Sequence, residues 1–151
     1  MPQAASIIKI GQFHEDDRAQ RLLDIIPLGA GQLNISYVNS IEHVVAWHAH
    51  ILQTDFWVCL KGSLKVGLAT PIESCECSNG ELDPDLFDVR FEYLSDKNFC
   101  VLAIPPGIYH GYRALEPGTI LLYYLTHRYD PADEFRAPVG VFSEEWNTQN
   151  K

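Results

Sequence analysis

Two things are scarce in this sequence: positive charge and long apolar runs. Only 11 Lys and Arg stand against 20 Asp and Glu, a formal charge of -9, so no general field draws the chain to nucleic acid or to an anionic membrane. A phosphate-bearing ligand would need a local basic pocket. No apolar run is long enough to span a bilayer. The short stretch Ile7-Ile8-Lys9-Ile10 lacks the long hydrophobic core and cleavage site of a signal peptide, and a cytoplasmic protein is expected. Cysteine is sparse as well. Cys59, Cys75, Cys77 and Cys100 show no Cys-x-x-Cys spacing. Cys59 and Cys100 lie in apolar, strand-like sequence where a thiol packs as a small hydrophobe, and Cys75-Glu76-Cys77 reads as two loop cysteines. Long amphipathic helical patterns, internal repeats and the strand–helix alternation of a parallel sheet are all missing, which excludes helical bundles, solenoids and doubly wound folds.

What remains is a succession of short strands. A chain of 151 residues with 46% hydrophobic content has material for one core, and one domain over 1–151 is expected. Ile7 to Ile10 reads as a first strand, and Arg21 to Ile26 as a strand or a single helical turn. Gln32-Leu33-Asn34-Ile35-Ser36-Tyr37-Val38-Asn39 alternates with period two, as a half-buried strand does. Further strands follow around Val44–His50, Asp55–Leu60, Leu64–Leu68, Val89–Tyr93, Phe99–Ile104, Tyr112–Leu115 and Thr119–Thr126, separated by Pro/Gly turns such as Pro105-Pro106-Gly107. Residues 71–88 form an acidic insertion expected to be a solvated loop, and 139–151 a tail. Many short strands with such turns imply an all-β sandwich or small barrel with little helix.

Polar groups interrupt this apolar pattern at one place. His48 and His50 are two residues apart and so leave the same face of a strand, and Asp55 opens the next strand after a short connection. His110 follows the Pro-Pro-Gly turn. Such groups are costly to bury unless they pair, bind a metal or handle a substrate. Two chemistries suit them. In one, His48, His50, Asp55 and His110 hold one divalent transition metal, since nitrogen/oxygen sets of this kind suit iron, manganese, nickel or zinc. In the other no cofactor is needed: a neutral His removes a proton next to a ketone and a Tyr delivers one on the other side. Tyr123 and Tyr124 alternate faces, so one of the two points inward.

The spacing of His48, His50, Asp55 and Gly62 resembles the first cupin signature, and Pro105-x-Gly107-x-x-His110 resembles the second. The implied fold is the cupin double-stranded β-helix, a jelly-roll barrel. Over residues 14 to 138 the chain further resembles the dTDP-4-dehydrorhamnose 3,5-epimerases and related cupin isomerases. The segments that carry this are His14-Glu15-Asp16-Asp17-Arg18, VAWHAH with QTDFWVCLKGSLKVGLA, FEYLSDKNFCVLAIPPGIYHGYRAL and LLYYLTHRYDPADEFRAP. The resemblance implies an isomerase acting on a 4-keto-6-deoxy nucleotide sugar, with His48 as base and Tyr123 as acid. It also implies substrate contacts from His50, His110 and Asp55, a homodimer, and Ile7 to Ile10 as a segment crossing to the partner. The family's Arg-Gly before the base is Val45-Ala46 here, its Lys is Asp55, and no tail Asp is expected to partner the base; Arg113, Arg128 or Arg136 is left to substitute for the missing arginine, with Arg113 taken as the substrate-binding one. The alternatives are a metal-dependent cupin oxygenase or isomerase, with the four ligands above, and a non-catalytic sugar-binding cupin.

Overall fold

The computed structural model describes residues 3–8, 12–73 and 79–147. Among these the strands are β1 (Ser6–Ile8), β2 (Gln12–Glu15), β3 (Gln20–Leu23), β4 (Gln32–Val38), β5 (Val44–Ala49), β6 (Asp55–Lys61), β7 (Ser63–Pro71), β8 (Phe87–Ser95), β9 (Val101–Ile104), β10 (Tyr109–Ala114), β11 (Thr119–Leu125) and β12 (Phe135–Arg136). The helical content among the described residues is two single 3-10 turns, Pro84–Leu86 and Pro131–Asp133, each capped by the Asp before it, Asp83 and Asp130. One sheet has the order β1-β9-β6-β11-β4, the second β12-β5-β10-β7-β8, and β2 and β3 form a separate hairpin. Every pairing is antiparallel. The result is the expected cupin jelly roll, and the segment around Arg21 is strand.

The two sheets face each other across a core of Trp57, Leu64, Val66, Leu68, Leu94, Leu102, Ile104 and Leu121, all buried. A second cluster lies on the far side of the second sheet, where Trp47, Ala49, Ala69 and Tyr109 meet Ala137 and Trp146. Segment 137–147 thus covers that sheet. A Cβ on Gly67 would come within 2.6 Å of both Trp47 and Trp146, so this strand position must lack a side chain for the tail to seat. The Glu144 carboxylate accepts hydrogen bonds from Trp47 Nε1 and Trp146 Nε1, both at 3.0 Å, and from the amides of Gly140 and Phe142. Lys65 Nζ donates to the carbonyls of Glu145 and Asn147. The weakly periodic tail is therefore an ordered cover.

Two stretches show what the sequence pattern left undetermined or described differently. β4 alternates as read, but its polar residues Gln32, Asn34 and Ser36 turn inward, while Leu33, Ile35 and Tyr37 are 53%, 48% and 69% exposed. The acidic insertion is not solvated throughout: Leu82 and Phe87 pack against the Trp47 cluster, and the Ile72 amide donates to the Leu86 carbonyl. Lys9, Ile10, Cys75 and Cys77 lie outside the described residues; Ser6–Ile8 pairs with β9 of the same chain. Cys59 is buried, its thiol pushed up to about 11 chiefly by that burial. It behaves as a packing residue.

Candidate active site

Both sheets wall a cavity of about 400 Å³. β5 delivers His48 and, just past its end, His50 to the cavity, while the alternate residues Trp47 and Ala49 are fully buried on the opposite face. Asp55 and Trp57 enter from β6, His110 and Tyr112 from β10, Tyr123 from β11, and Gln32, Asn34 and Ser36 from β4. Strand pairing fixes the registry, since His110 stands opposite His48, Asp55 opposite Leu125, and Tyr123 between Asn34 and Trp57. The Pro-Pro-Gly turn is tied in as well. Gly107, at φ 87°, donates its amide to the His50 carbonyl at 2.7 Å.

His48 has a carboxylate partner. Its Nδ1 lies 3.1 Å from Glu134 Oε1, brought there by β12, whose Arg136 pairs with His48 and Phe135 with Ala49. Glu134 Oε2 accepts from Tyr129 Oη at 3.2 Å and from the Arg136 guanidinium at 3.1 Å. Burial pushes the Glu134 carboxyl up, but Arg136 and then His48 outweigh it and hold it below the ordinary glutamate value. An ionised carboxylate can only accept, so His48 carries its proton on Nδ1 and keeps a lone pair on Nε2. Burial, with a contribution from His110, keeps the ring's pKa below its ordinary value despite Glu134. At neutral pH His48 is an oriented free base.

The remaining imidazoles are held through the main chain. His50 Nδ1 donates to the Asp133 carbonyl at 2.7 Å, and the Asp133 carboxylate accepts the amides of Ile51 and Leu52. His110 Nδ1 donates to the Ile108 carbonyl at 2.9 Å, and its Nε2 faces Asp55 Oδ2 at 3.5 Å. Asp55 also accepts from Gln53 Nε2 at 2.7 Å and Trp57 Nε1 at 3.2 Å. Burial of Asp55 raises its pKa, yet His110, His50 and Gln53 together bring it below the ordinary value.

With this geometry in view, the chain can be set beside known proteins. No family model matches it. The spore coat polysaccharide biosynthesis protein SpsL of Bacillus subtilis strain 168 is 31% identical over 150 residues, covering 90% of this chain and 91% of that protein. The chain belongs to the family of that polysaccharide biosynthesis protein. Solved structures share the cupin fold at lower identity. The sugar 3,4-ketoisomerase QdtA from Thermoanaerobacterium thermosaccharolyticum, solved with TDP, has a TM-score of 0.70 at 19% identity, covering 95% of each chain. The dTDP-4-dehydrorhamnose 3,5-epimerase of Bacillus anthracis, solved with TDP and PPi, has a TM-score of 0.68 at 18% identity, covering 97% of this chain and 93% of that one.

In this cupin the structure brings His48, His50, Asp55, His110 and Tyr123 around one cavity and leaves Arg113 out of it. The Arg113 guanidinium hydrogen-bonds the carbonyls of Ile41 and Trp146 and Asn147 Oδ1. The cause is the period of the strand: Tyr112 points in, so its neighbour points out. Its expected contact with substrate is therefore corrected to an anchor for the tail. Tyr124 also faces away from the cavity, with its hydroxyl accepting the amides of Gly29 at 2.7 Å and Gly31 at 3.1 Å. Among the cavity residues that escaped the sequence reading, two bear on the base and the acid. Glu134 supplies the carboxylate that the base was expected to lack; it belongs to the Tyr129–Glu134 motif, whose spacing marks a turn but not its target. Tyr112 stands beside Tyr123, its phenol raised by burial, with Ser36 as hydrogen-bond partner. Among the described residues no Lys or Arg lines the cavity.

Proposed function

We propose that the protein is a nucleotide-sugar epimerase or isomerase acting next to the carbonyl of a 4-keto-6-deoxy sugar, with His48 as base and Tyr123 as acid. The observation that carries this reading is the 3.1 Å contact between His48 Nδ1 and Glu134, which leaves Nε2 as the ring's proton acceptor. A C–H proton beside the ketone passes to Nε2, and its bonding pair forms the enolate, with negative charge on the former carbonyl oxygen. Reprotonation of carbon by the Tyr123 hydroxyl from the other face restores the ketone with the centre inverted; return of the proton by His48 to the same carbon gives exchange, and its delivery to the former carbonyl carbon, with the neighbouring hydroxyl proton passing to the former carbonyl oxygen, transfers the ketone. His50, His110 and Asp55 bind the sugar. The role in polysaccharide biosynthesis carried by the name of SpsL and the TDP-4-keto-6-deoxyglucose bound to a QdtA variant support this substrate class.

Exchange with solvent decides it. In D2O the protein incorporates deuterium into TDP-4-keto-6-deoxyglucose, followed by NMR. His48→Asn abolishes that incorporation; retained exchange in this variant would overturn the assignment. Tyr123→Phe keeps exchange at the first carbon but slows product formation by about 10²-fold or more.

The functional unit is a homodimer in the cytoplasm. Support comes from the exposed apolar row Leu33, Ile35 and Tyr37 on the edge strand β4, with Phe13 and Leu28 also exposed, 61% and 63%. No helix among the described residues is long and apolar enough to cross a membrane. Light scattering reports twice the 17.1 kDa chain mass if the dimer is right, and Ile35→Lys shifts it toward monomer.

A further inference from the structure

We propose that Tyr112 is a second phenol in the acid half of the reaction: its hydroxyl donates to the Tyr123 oxygen and returns to it the proton that Tyr123 gives to carbon. This rests on the epimerase reading of Tyr123 and deepens it. The two side chains reach the cavity from opposite sheets, Tyr112 from β10 and Tyr123 from β11. Trp57 brings them together. It is the cross-strand partner of Tyr123, and the Tyr112 ring meets its indole edge to face with centroids 5.6 Å apart. Tyr112 hydrogen-bonds Ser36 and lies within electrostatic reach of Tyr123. Ser36 in turn follows Asn34, the other cross-strand partner of Tyr123, along the inward face of β4.

The need for such a group follows from charge. Delivery of its proton leaves Tyr123 as a phenolate, and among the described residues no Lys or Arg lines the cavity to compensate it. A half-buried anion then depends on hydrogen-bond donors. Most polar hydrogens here are already committed: Gln53 Nε2 and Trp57 Nε1 to Asp55, Tyr129 Oη to Glu134, and Nδ1 of His50 and His110 to main-chain carbonyls. What remains beside Tyr123 is the Tyr112–Ser36 hydroxyl pair and the Asn34 amide. Of these a phenol surrenders a proton most readily. A hydroxyl can accept one hydrogen bond while donating another, so Tyr112 accepts from Ser36 and turns its own proton to Tyr123. Protons balance in this step. The Tyr123 O–H bond breaks as the enolate pair forms the C–H bond, the Tyr112 proton passes to the Tyr123 oxygen, and Ser36 holds the Tyr112 phenolate until cavity water reprotonates it. The proton that His48 took returns to water, so none is gained or lost. Tyr112 acts through Tyr123 and is not itself the acid.

Tyr112→Phe keeps the ring against Trp57 and removes the donor. In D2O with TDP-4-keto-6-deoxyglucose, this variant should exchange at the first carbon within about 2-fold of wild type, since His48 is untouched, while product formation falls by about 10-fold or more in kcat with KM unchanged. Ser36→Ala should show the same split at smaller size. In the Tyr123→Phe background, Tyr112→Phe should cost nothing further, because the group it serves is gone. Thermal melting checks that each variant is folded. An unchanged product rate in Tyr112→Phe overturns the relay, as do equal losses of exchange and product formation, a loss carried by KM, or losses that multiply in the double variant. Each of these leaves the epimerase reading standing where the wild type exchanges and inverts. A wild type that exchanges no deuterium overturns both, and one that exchanges but never inverts overturns the pair of phenols as the acid.

Discussion

Replacing Glu134 by Gln probes the base through its partner while keeping the side chain's size. The amide oxygen can still accept from His48 Nδ1–H, so the tautomer survives, but the charge is gone. What is lost is attraction to the imidazolium that forms as His48 takes the proton. Over the 3.1 Å contact, Coulomb's law gives roughly 1.3 kcal/mol at the dielectric of water and roughly 5 kcal/mol at an effective dielectric of about 20. The side chains of His48 and Glu134 are 24% and 15% exposed, which places the pair between these bounds. With the proton about half transferred in the transition state, about half the attraction is felt, or roughly 0.7–2.7 kcal/mol, a fall in kcat of about 3- to 100-fold. KM should change little, because Glu134 acts through His48. The assay is the initial rate of deuterium entry into the keto sugar over a range of substrate concentrations. An unchanged kcat, or a loss carried entirely by KM, would refute the argument that Glu134 tunes the base.

Three further outcomes follow from named contacts. Tyr124→Phe leaves the amides of Gly29 and Gly31 without their acceptor, so stability should fall by about 1–3 kcal/mol and Tm by roughly 2–10 °C, with activity per folded molecule retained. Arg113→Ala should leave exchange activity near wild type, because the guanidinium lies outside the cavity, and should expose the tail to limited proteolysis. Burial raises the Glu144 pKa, but its N–H donors outweigh that and depress it below the ordinary 4.5. Its contribution to stability is therefore complete above that value and is lost as pH falls through the depressed one; chemical denaturation of Glu144→Gln should show a deficit at pH 7 that narrows in acid.

The strands and the two histidine-bearing turns were legible in the sequence because period-two alternation and Pro/Gly punctuation are local signals. His-x-His spacing alone put His48 and His50 on one face, and the turn at Pro105–Gly107 set His110 in register across from His48. The direction of β4 was not legible. Alternation says that one face is apolar but not which face looks inward, and here the polar face lines a cavity while the apolar one looks out. Partners far apart in the chain were equally hidden. Glu134 meets His48 across 86 residues, and only the pairing of β12 with β5 makes them neighbours. The same distance effect disguised the tail, whose fixed points Trp146 and Glu144 are isolated residues in an aperiodic stretch until Trp47 and Gly67 receive them.

The charge of the cavity ties these features to the choice of ligand. Sequence departures put Val45-Ala46 and Asp55 where the family's resemblance places an arginine and a lysine, and the structure adds Glu134 to the same wall. Two carboxylates with no lining Lys or Arg among the described residues make this interior unfavourable for a diphosphate, whose charges would meet like charges at low dielectric. An uncharged sugar ring faces no such cost: its hydroxyls find donors and acceptors in Gln32, Asn34, Ser36 and Gln53. The orientation this dictates is ring inward, anionic group at the rim. A cation held beside that wall is Arg136, 67% exposed and already bonded to the cavity-lining Glu134. A diphosphate reaching Arg136 would therefore compete with Glu134 for its guanidinium and, through Glu134, act on the residue that orients His48.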